Sequence, residues 1–102
     1  MRRVRVSKTF VNQLNALLGH GFPRFGARVI TDKRERVFDV INNRLAHFPK
    51  IPADPALGLC VYPVAKTPFK LIYDFDDDEL RVHFVFHVGA SLDDLDPQSA
   101  EW

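Results

Sequence analysis

Two predicted strands joined by an acidic turn carry charged and imidazole side chains at positions that a protein core does not require. The segment Pro68–Val88 reads PFKLIYDFDDDELRVHFVFHV, and a short turn at its acidic centre would pair Asp74 with Arg81. Because side chains alternate between the two faces of a strand, one face of this hairpin is apolar and the other is polar. The candidate catalytic side chains on the polar face are Lys70, Arg81, His83 and His87.

These side chains would suit the cleavage of RNA through its 2′-hydroxyl group. That reaction needs a group to take the hydroxyl proton, cations to offset the charge on the phosphate, and an acid for the leaving oxygen. Histidine exchanges protons near neutral pH, and Lys70 and Arg81 are cations. Along a strand, His83 and His87 would lie about 13 Å apart, too far for both to touch one phosphate. The alternative is a surface ladder in which Arg81 pairs with Asp74.

The apolar face of the hairpin predicts one side of a core, covered by helices. Its members are Phe69, Leu71, Tyr73, Phe75, Leu80, Val82, Phe84 and Phe86, whereas Ile72 and Val85 fall among the polar side chains. We expect the polar face of the sheet to be left open to solvent, as antiparallel sheets allow.

A short strand and two helices precede the hairpin. The alternating segment Arg2–Val6 predicts a first strand, and Ser7 suits the N-cap of a helix whose apolar residues recur at helical spacing. That helix ends at Gly19 and Gly21. A second helix runs to about Ala46, and the sequence leaves open whether residues 24–30 belong to it. The predicted buried stripes are Phe10, Leu14, Leu17 and Leu18 in the first helix, and Val37, Val40, Ile41 and Leu45 in the second.

Three prolines between residues 49 and 55 predict an extended connector into a further strand, Leu59–Val64. The predicted fold class is therefore α+β: a helical hairpin packed on a small, mainly antiparallel four-stranded sheet in the order β-α-α-β-β-β. Residues 1–102 form a single domain, of which residues 89–102 are an acidic tail with Leu92, Leu95 and Trp102 as anchors. Periodicity does not determine the strand order.

Composition excludes several classes of protein. A hydrophobic content of 46% with 26% charged residues is ordinary for a globular domain. No apolar stretch approaches the roughly 20 residues that span a bilayer, and one cysteine can form neither an internal disulfide nor a metal site by itself. We expect a cytoplasmic protein without membrane association, metal or cofactor.

The charge of the chain is divided between its halves. Residues 1–50 contain eleven Lys/Arg and three Asp/Glu, a net charge of +8, whereas residues 51–102 sum to −7. Such asymmetry is compatible with a nucleic-acid surface or an acidic partner, and also with basic helices neutralised by an acidic sheet rim. The densest basic cluster, a candidate target-binding surface or an ordinary solvated helix face, comprises Arg24, Arg28, Lys33, Arg34 and Arg36.

Short motifs along nearly the whole chain resemble the RelE/ParE superfamily of bacterial toxins. They are Ser7-Lys8-Thr9-Phe10, Phe25-Gly26, Asn43-Arg44-Leu45, Gly58-Leu59, Tyr62-Pro63-Val64, Pro68-Phe69-Lys70-Leu71-Ile72-Tyr73 and Val85-Phe86-His87 before Leu92-Asp93. The resemblance implies a plasmid-stabilisation type of toxin that inhibits growth and is neutralised by a cognate antitoxin in a hetero-oligomer.

Two activities follow from the resemblance, and they need different residues. In the RNA-cutting branch, an mRNA interferase acts on the ribosome with basic residues of the open sheet face, and Lys70 keeps a cation at one such position. The basic loop and arginine–tyrosine pair of that branch are missing, because residues 89–95 read GASLDDL. The other branch inhibits DNA gyrase without chemistry, and the final strand ending in His87 is similar to it. A third alternative is a degenerate homologue that binds antitoxin without toxicity.

Overall fold

A computed structural model describes residues 1–21, 26–49 and 52–102 of the chain. Its elements in chain order are β1 (Arg3–Val6), α1 (Lys8–Gly21), α2 (Gly26–Asp39), a π-helical turn (Val40–Leu45) that continues α2, β2 (Cys60–Pro63), β3 (Phe69–Phe75) and β4 (Glu79–His87). The α+β fold class and the order β-α-α-β-β-β are confirmed. Helix α2 ends in a π-helical turn, which the sequence pattern did not distinguish from a regular helix.

The four strands form one sheet in the order β1-β4-β3-β2. Strand β1 lies parallel to β4, and the other two pairs are antiparallel. The predicted pairing of Asp74 with Arg81 in the β3–β4 hairpin is confirmed. Pairing of β1 with β4 brings the basic start of the chain beside the strand that carries His83.

Helix α1 begins where Ser7 supplies its cap. The Ser7 Oγ accepts a hydrogen bond from the Phe10 N–H at 2.8 Å and donates one to the His83 carbonyl at 2.5 Å. Because Ser7 is fully buried, both bonds satisfy groups that water cannot reach. The helix is thereby fixed to the middle of β4.

The main core lies between the helices and one face of the sheet. The predicted helical stripes are confirmed, with Leu17 and Val40 partly buried at the edge. The buried members of this core include Phe10, Leu14, Leu18, Val37, Ile41, Leu45, Phe69, Leu71, Tyr73, Leu80, Val82 and Val85.

A β-bulge at His83 corrects the predicted assignment of faces. Tyr73 pairs with Val82 but Ile72 pairs with Phe84, so His83 has no opposite residue on β3. One extra residue reverses the alternation that follows it. Consequently Val85 joins the main core, and the prediction that Phe84 and Phe86 lie beneath the helices is wrong. His87, two residues after Val85, lies on the helix side of the sheet and not on the polar face.

The second face of the sheet is covered, so the prediction of an open face is also wrong. A second apolar cluster joins Leu57, Leu59, Ile72 and Phe84. The partly buried residues packed against it are Val61, Phe86, Leu92, Leu95 and Ala100. Three of these belong to the tail, Gly89–Trp102, which is therefore an ordered layer of the structure.

Candidate functional site

Asp74, Arg81 and His83 meet on the second face of the sheet, beside the bulge. The Arg81 guanidinium holds the Asp74 carboxylate with two hydrogen bonds, from Nε to Oδ1 at 2.9 Å and from Nη2 to Oδ2 at 3.3 Å. The His83 Nε2 lies 2.9 Å from the same Oδ1. The register explains this meeting: Asp74 and Arg81 are cross-strand partners, and the bulge directs the next imidazole toward them.

Further carboxylates surround Arg81. Its Nη1 donates to Asp76 Oδ2 at 2.9 Å and to Glu79 Oε1 at 3.3 Å. These bonds raise the pKa of Arg81, the bond to Asp74 foremost, and the Arg81 hydrogen bond is the main cause that lowers the pKa of Asp76 to about 2. Burial alone would raise the pKa of Asp74, but hydrogen bonds from Arg81 and His83 lower it below the ordinary value. The guanidinium is thus compensated by neighbouring carboxylates in this conformation.

The end of the tail lies against His83. The Trp102 ring meets the His83 ring edge-on, with centroids 4.9 Å apart and planes at 88°. On the β1 side, the Arg5 guanidinium lies 4.8 Å from the centroid of the Trp102 ring, a cation–π contact. Only 13% of the His83 side chain is exposed. Within the described part of the chain, its buried Nδ1 has no hydrogen-bond partner.

Backbone hydrogen bonds hold the residue before Trp102 to the start of α1. The Glu101 carbonyl accepts from the Lys8 N–H at 2.6 Å and from the Thr9 N–H at 3.4 Å. In return, the Glu101 N–H donates to Thr9 Oγ1 at 2.8 Å. The Glu101 carbonyl therefore accepts hydrogen bonds from two backbone amides that have no partner within the first turn of the helix.

The other two candidates of the hairpin do not join this cluster directly. The Lys70 ammonium donates to the carbonyls of Val88 and Ala90, at 3.2 and 2.6 Å, and so fixes the start of the tail. His87 is exposed, and its Nδ1 accepts the Gly89 N–H at 3.1 Å. Of the four predicted side chains, the structure brings only Arg81 and His83 into contact with a common group, Asp74.

The basic cluster of α2 is largely paired. Arg24 lies outside the described residues, and Arg28 is exposed. The Lys33 ammonium donates to the Lys66 carbonyl at 2.7 Å, Arg34 donates to Asn15 Oδ1 at 3.2 Å, and Arg36 forms an ion pair with Asp32 at 3.1 Å. Acidic side chains at positions 32, 35 and 39 lie among the basic residues of α2, so the helix does not present a continuous stripe of positive charge.

The cluster on the second face has the parts of an oriented proton acceptor. A carboxylate fixes one ring nitrogen of His83, which leaves Nδ1 as the nitrogen that could take a proton, and a cation stands beside the carboxylate. Among the described residues, no group of three or more His, Cys, Asp and Glu side chains could hold a metal ion. Nor does any described helix have the length and apolarity to cross a membrane.

Sequence reasoning missed Arg5 and Thr9, and it treated Trp102 only as an anchor of the tail. Arg5 is far from β4 in sequence, and the parallel β1–β4 pairing places it beside Arg81. Thr9 lies in the first turn of α1, where it accepts the Glu101 N–H. The sequence signal that could have identified the role of Trp102 is its position after an acidic segment that contains leucines. An aromatic residue there needs a surface against which to bury its ring.

Comparison with known proteins finds a solved structure of similar fold but no match by sequence. No protein-family model matches the chain, and a search of curated proteins finds no match either. Among solved structures, a chain described as "Chromosomal ParDE TA system from P. aeruginosa" superimposes with a TM-score of 0.73 at 13% sequence identity. The match covers 86% of this chain and 97% of the other. The protein therefore has the same fold as that chain.

Proposed function

We propose that this protein is the toxin component of a type II toxin–antitoxin system, which inhibits growth until a cognate antitoxin binds it. The observation that supports the proposal is its fold, shared with a chain of a ParDE toxin–antitoxin system over most of both chains. The superfamily motifs distributed from Ser7 to Leu92 agree with that match. In this proposal the toxin and antitoxin form a hetero-oligomer in the cytoplasm.

In the structure the tail covers His83, and carboxylates surround Arg81. This arrangement favours a protein that acts by binding, as a ParE-like inhibitor of DNA gyrase does. Arg81 is compensated by Asp74, Asp76 and Glu79, so it has little charge to offer a phosphate. The acidic tail further repels a nucleic-acid backbone from this face. A gyrase inhibitor needs no catalytic group, and exposed Arg28 and Arg34 of α2 are then candidate side chains for contact with the target.

A second candidate function, ribosome-dependent mRNA cleavage, is favoured by one specific arrangement. Asp74 holds His83 as a carboxylate holds a general base, with Nδ1 left to accept the 2′-hydroxyl proton. Lys70 and Arg81 would be the cations near the phosphate, whereas His87 lies on the opposite side of the sheet and could not serve as the acid there. This activity requires the tail to leave His83, because the nitrogen that would take the proton is buried.

The rates of precursor incorporation separate these functions. The chain is induced alone in a bacterium, and uptake of labelled thymidine and methionine is followed in the same culture. A gyrase inhibitor lowers thymidine incorporation first, whereas an mRNA interferase lowers methionine incorporation first. If neither falls while the folded protein accumulates, the chain is a degenerate homologue and the toxin proposal is wrong.

Two variants assign the effect to a surface. His83→Ala removes the proton acceptor and would abolish mRNA cleavage while leaving gyrase inhibition intact. Substitution of Arg28 and Arg34 by Glu reverses two exposed charges of α2 and would weaken gyrase inhibition more than mRNA cleavage. Circular dichroism of each variant establishes that the fold persists.

A further inference from the structure

The tail contacts the candidate site through two different kinds of attachment. Leu92 and Leu95 pack against the second apolar cluster and anchor the tail to the sheet, and Ala100 adds a contact with that cluster further along the chain. Glu101 and Trp102, by contrast, are held by main-chain hydrogen bonds to α1 and by ring contacts with Arg5 and His83. The attachment of the last two residues is therefore of a different kind from that of the leucines.

A turn at residues 96–99 separates Leu92 and Leu95 from the last three residues of the tail, and it gives the end of the tail a place to rotate. The Ser99 N–H donates to the Asp96 carbonyl at 3.1 Å, and the Asp96 carboxylate accepts the Gln98 N–H at 2.9 Å. Pro97 stands at the second position of this turn, where its fixed φ is favourable. Its residues are exposed apart from a half-buried Pro97, so little packing opposes a change in its direction.

The Nδ1 of His83 is buried and has no hydrogen-bond partner among the described residues. A permanent cover normally satisfies the polar atoms it buries, because an unpaired buried acceptor costs free energy. Here Asp74 binds Nε2, and in the described residues nothing pairs with Nδ1. Opening of the tail would return this nitrogen to water or offer it to a bound target.

From these observations we infer that Glu101 and Trp102 form an autoinhibitory strap, which closes the Asp74–His83 site and must open before a target can reach it. The inference rests on the proposed function only for the identity of the target that the open site would act on. Closure itself is a property of the contacts among Trp102, Arg5, His83 and the start of α1. It can therefore be measured in the isolated protein.

Acylation of histidines by diethyl pyrocarbonate, followed by mass spectrometry, measures closure directly. The other three histidines, His20, His47 and His87, are exposed and serve as internal standards. We expect His83 to react at least about tenfold more slowly than His87 in the native chain, and at a similar rate in Trp102→Ala, because only the variant lacks the covering ring. Unchanged protection of His83 in the folded variant would overturn the strap.

A matched pair on β1 tests the cation–π contact without altering the tail. Arg5 lies over the Trp102 ring, whereas Arg3 is exposed on the same strand two residues earlier. Trp102 is the single tryptophan of the chain, so its fluorescence reports the strap alone. Arg5→Ala should increase quenching of this fluorescence by acrylamide, and Arg3→Ala should not. Equal quenching in both variants and the native chain would contradict the proposed attachment.

Growth inhibition separates the strap from the function it regulates. If the native chain inhibits growth, Trp102→Ala at the same expression level should inhibit it more strongly, since its site is open. Equal inhibition by the two chains, with His83 reactive in the variant, would overturn autoinhibition but leave the toxin proposal standing. If neither chain inhibits growth, the toxin proposal and the autoinhibition both fail, and only the closure measured by acylation remains.

Discussion

Asp74 determines how charge is distributed on the second face of the sheet. It accepts hydrogen bonds from Arg81 and lies within hydrogen-bond distance of His83, so one carboxylate orients both a cation and an imidazole. If Asp74 were protonated, it would hold both partners less strongly, and the site would loosen. The conformation of the candidate site should therefore depend on the ionisation of this carboxyl group.

The lowered pKa of Asp74 predicts a loss of stability in acid. A carboxyl group whose pKa is lower in the folded state stabilises the fold above its unfolded value, near 3.8, and the stabilisation disappears as pH falls through the folded value. We expect the free energy of unfolding by urea to fall from about pH 5 to about pH 2, partly through Asp74 and partly through Asp76.

Asp74→Asn should make this acid dependence shallower, since Asn does not titrate. Asp77→Asn is the matched control, because Asp77 is exposed in the same hairpin. Its pH profile should coincide with that of the native chain. An acid dependence that is equally steep in Asp74→Asn would show that this carboxylate does not contribute through its ionisation.

At the scale of elements, most of the architecture was predictable and the bulge was not. Hydrophobic periodicity, the Ser7 cap and the acidic turn defined the strands, the helices and the pairing of Asp74 with Arg81. Alternation alone then assigned every later residue of β4 to a face. A single extra residue reverses that assignment, and the sequence VHFVF fits either register because both faces receive apolar side chains.

The candidate site was predictable only in part for the same reason. Arg81 and His83 were assigned to the correct face because Arg81 precedes the bulge and His83 lies at it. His87 follows the bulge and therefore lies on the helix side of the sheet. Coverage by the tail depends on contacts between distant segments, which local patterns do not encode. The tail anchors Leu92, Leu95 and Trp102 were visible in the sequence, but the surface that receives them was not.

The second apolar cluster predicts a large cost for removing Phe84. Its side chain is almost fully buried between the sheet and the tail, so Phe84→Ala should lower the free energy of unfolding by about 3–5 kcal/mol. Phe48→Ala is the control: that ring is 77% exposed and should change stability by less than about 0.5 kcal/mol. Chemical denaturation of both variants provides the measurement, and a small cost at Phe84 would mean that the second face is not a true core.

The cap of α1 connects the helix to the site strand. Ser7→Ala leaves the Phe10 N–H and the His83 carbonyl without their side-chain partner, in a position that water does not reach. We expect a loss of about 1–2 kcal/mol in urea unfolding. Ser99→Ala, which removes an exposed hydroxyl of the tail turn, should cost less than about 0.5 kcal/mol. Equal effects would show that Ser7 is not an important cap.

At the scale of the whole molecule, the acidic tail lies beside the basic start of the chain. Basic β1 and the start of α1 receive an acidic segment, which contains four carboxylates and no Lys or Arg. The contacts between them are a cation–π contact of Arg5 with Trp102 and a main-chain hydrogen bond from the Lys8 N–H to the Glu101 carbonyl, neither of which joins two charged side chains. The proposed strap and the proposed toxin function are linked here, because an antitoxin or a target that reaches this face competes with the tail.

The viable count of a bacterium in which this chain is induced alone tests the toxin proposal most directly. Phe84→Asp is the control, since a buried unpaired charge should unfold the domain and abolish any effect of the folded protein. The proposal predicts that the native chain reduces viable counts, that Phe84→Asp does not, and that the antitoxin encoded beside the chain restores them. Full viability in the presence of the folded native chain, and also of folded Trp102→Ala, would contradict it.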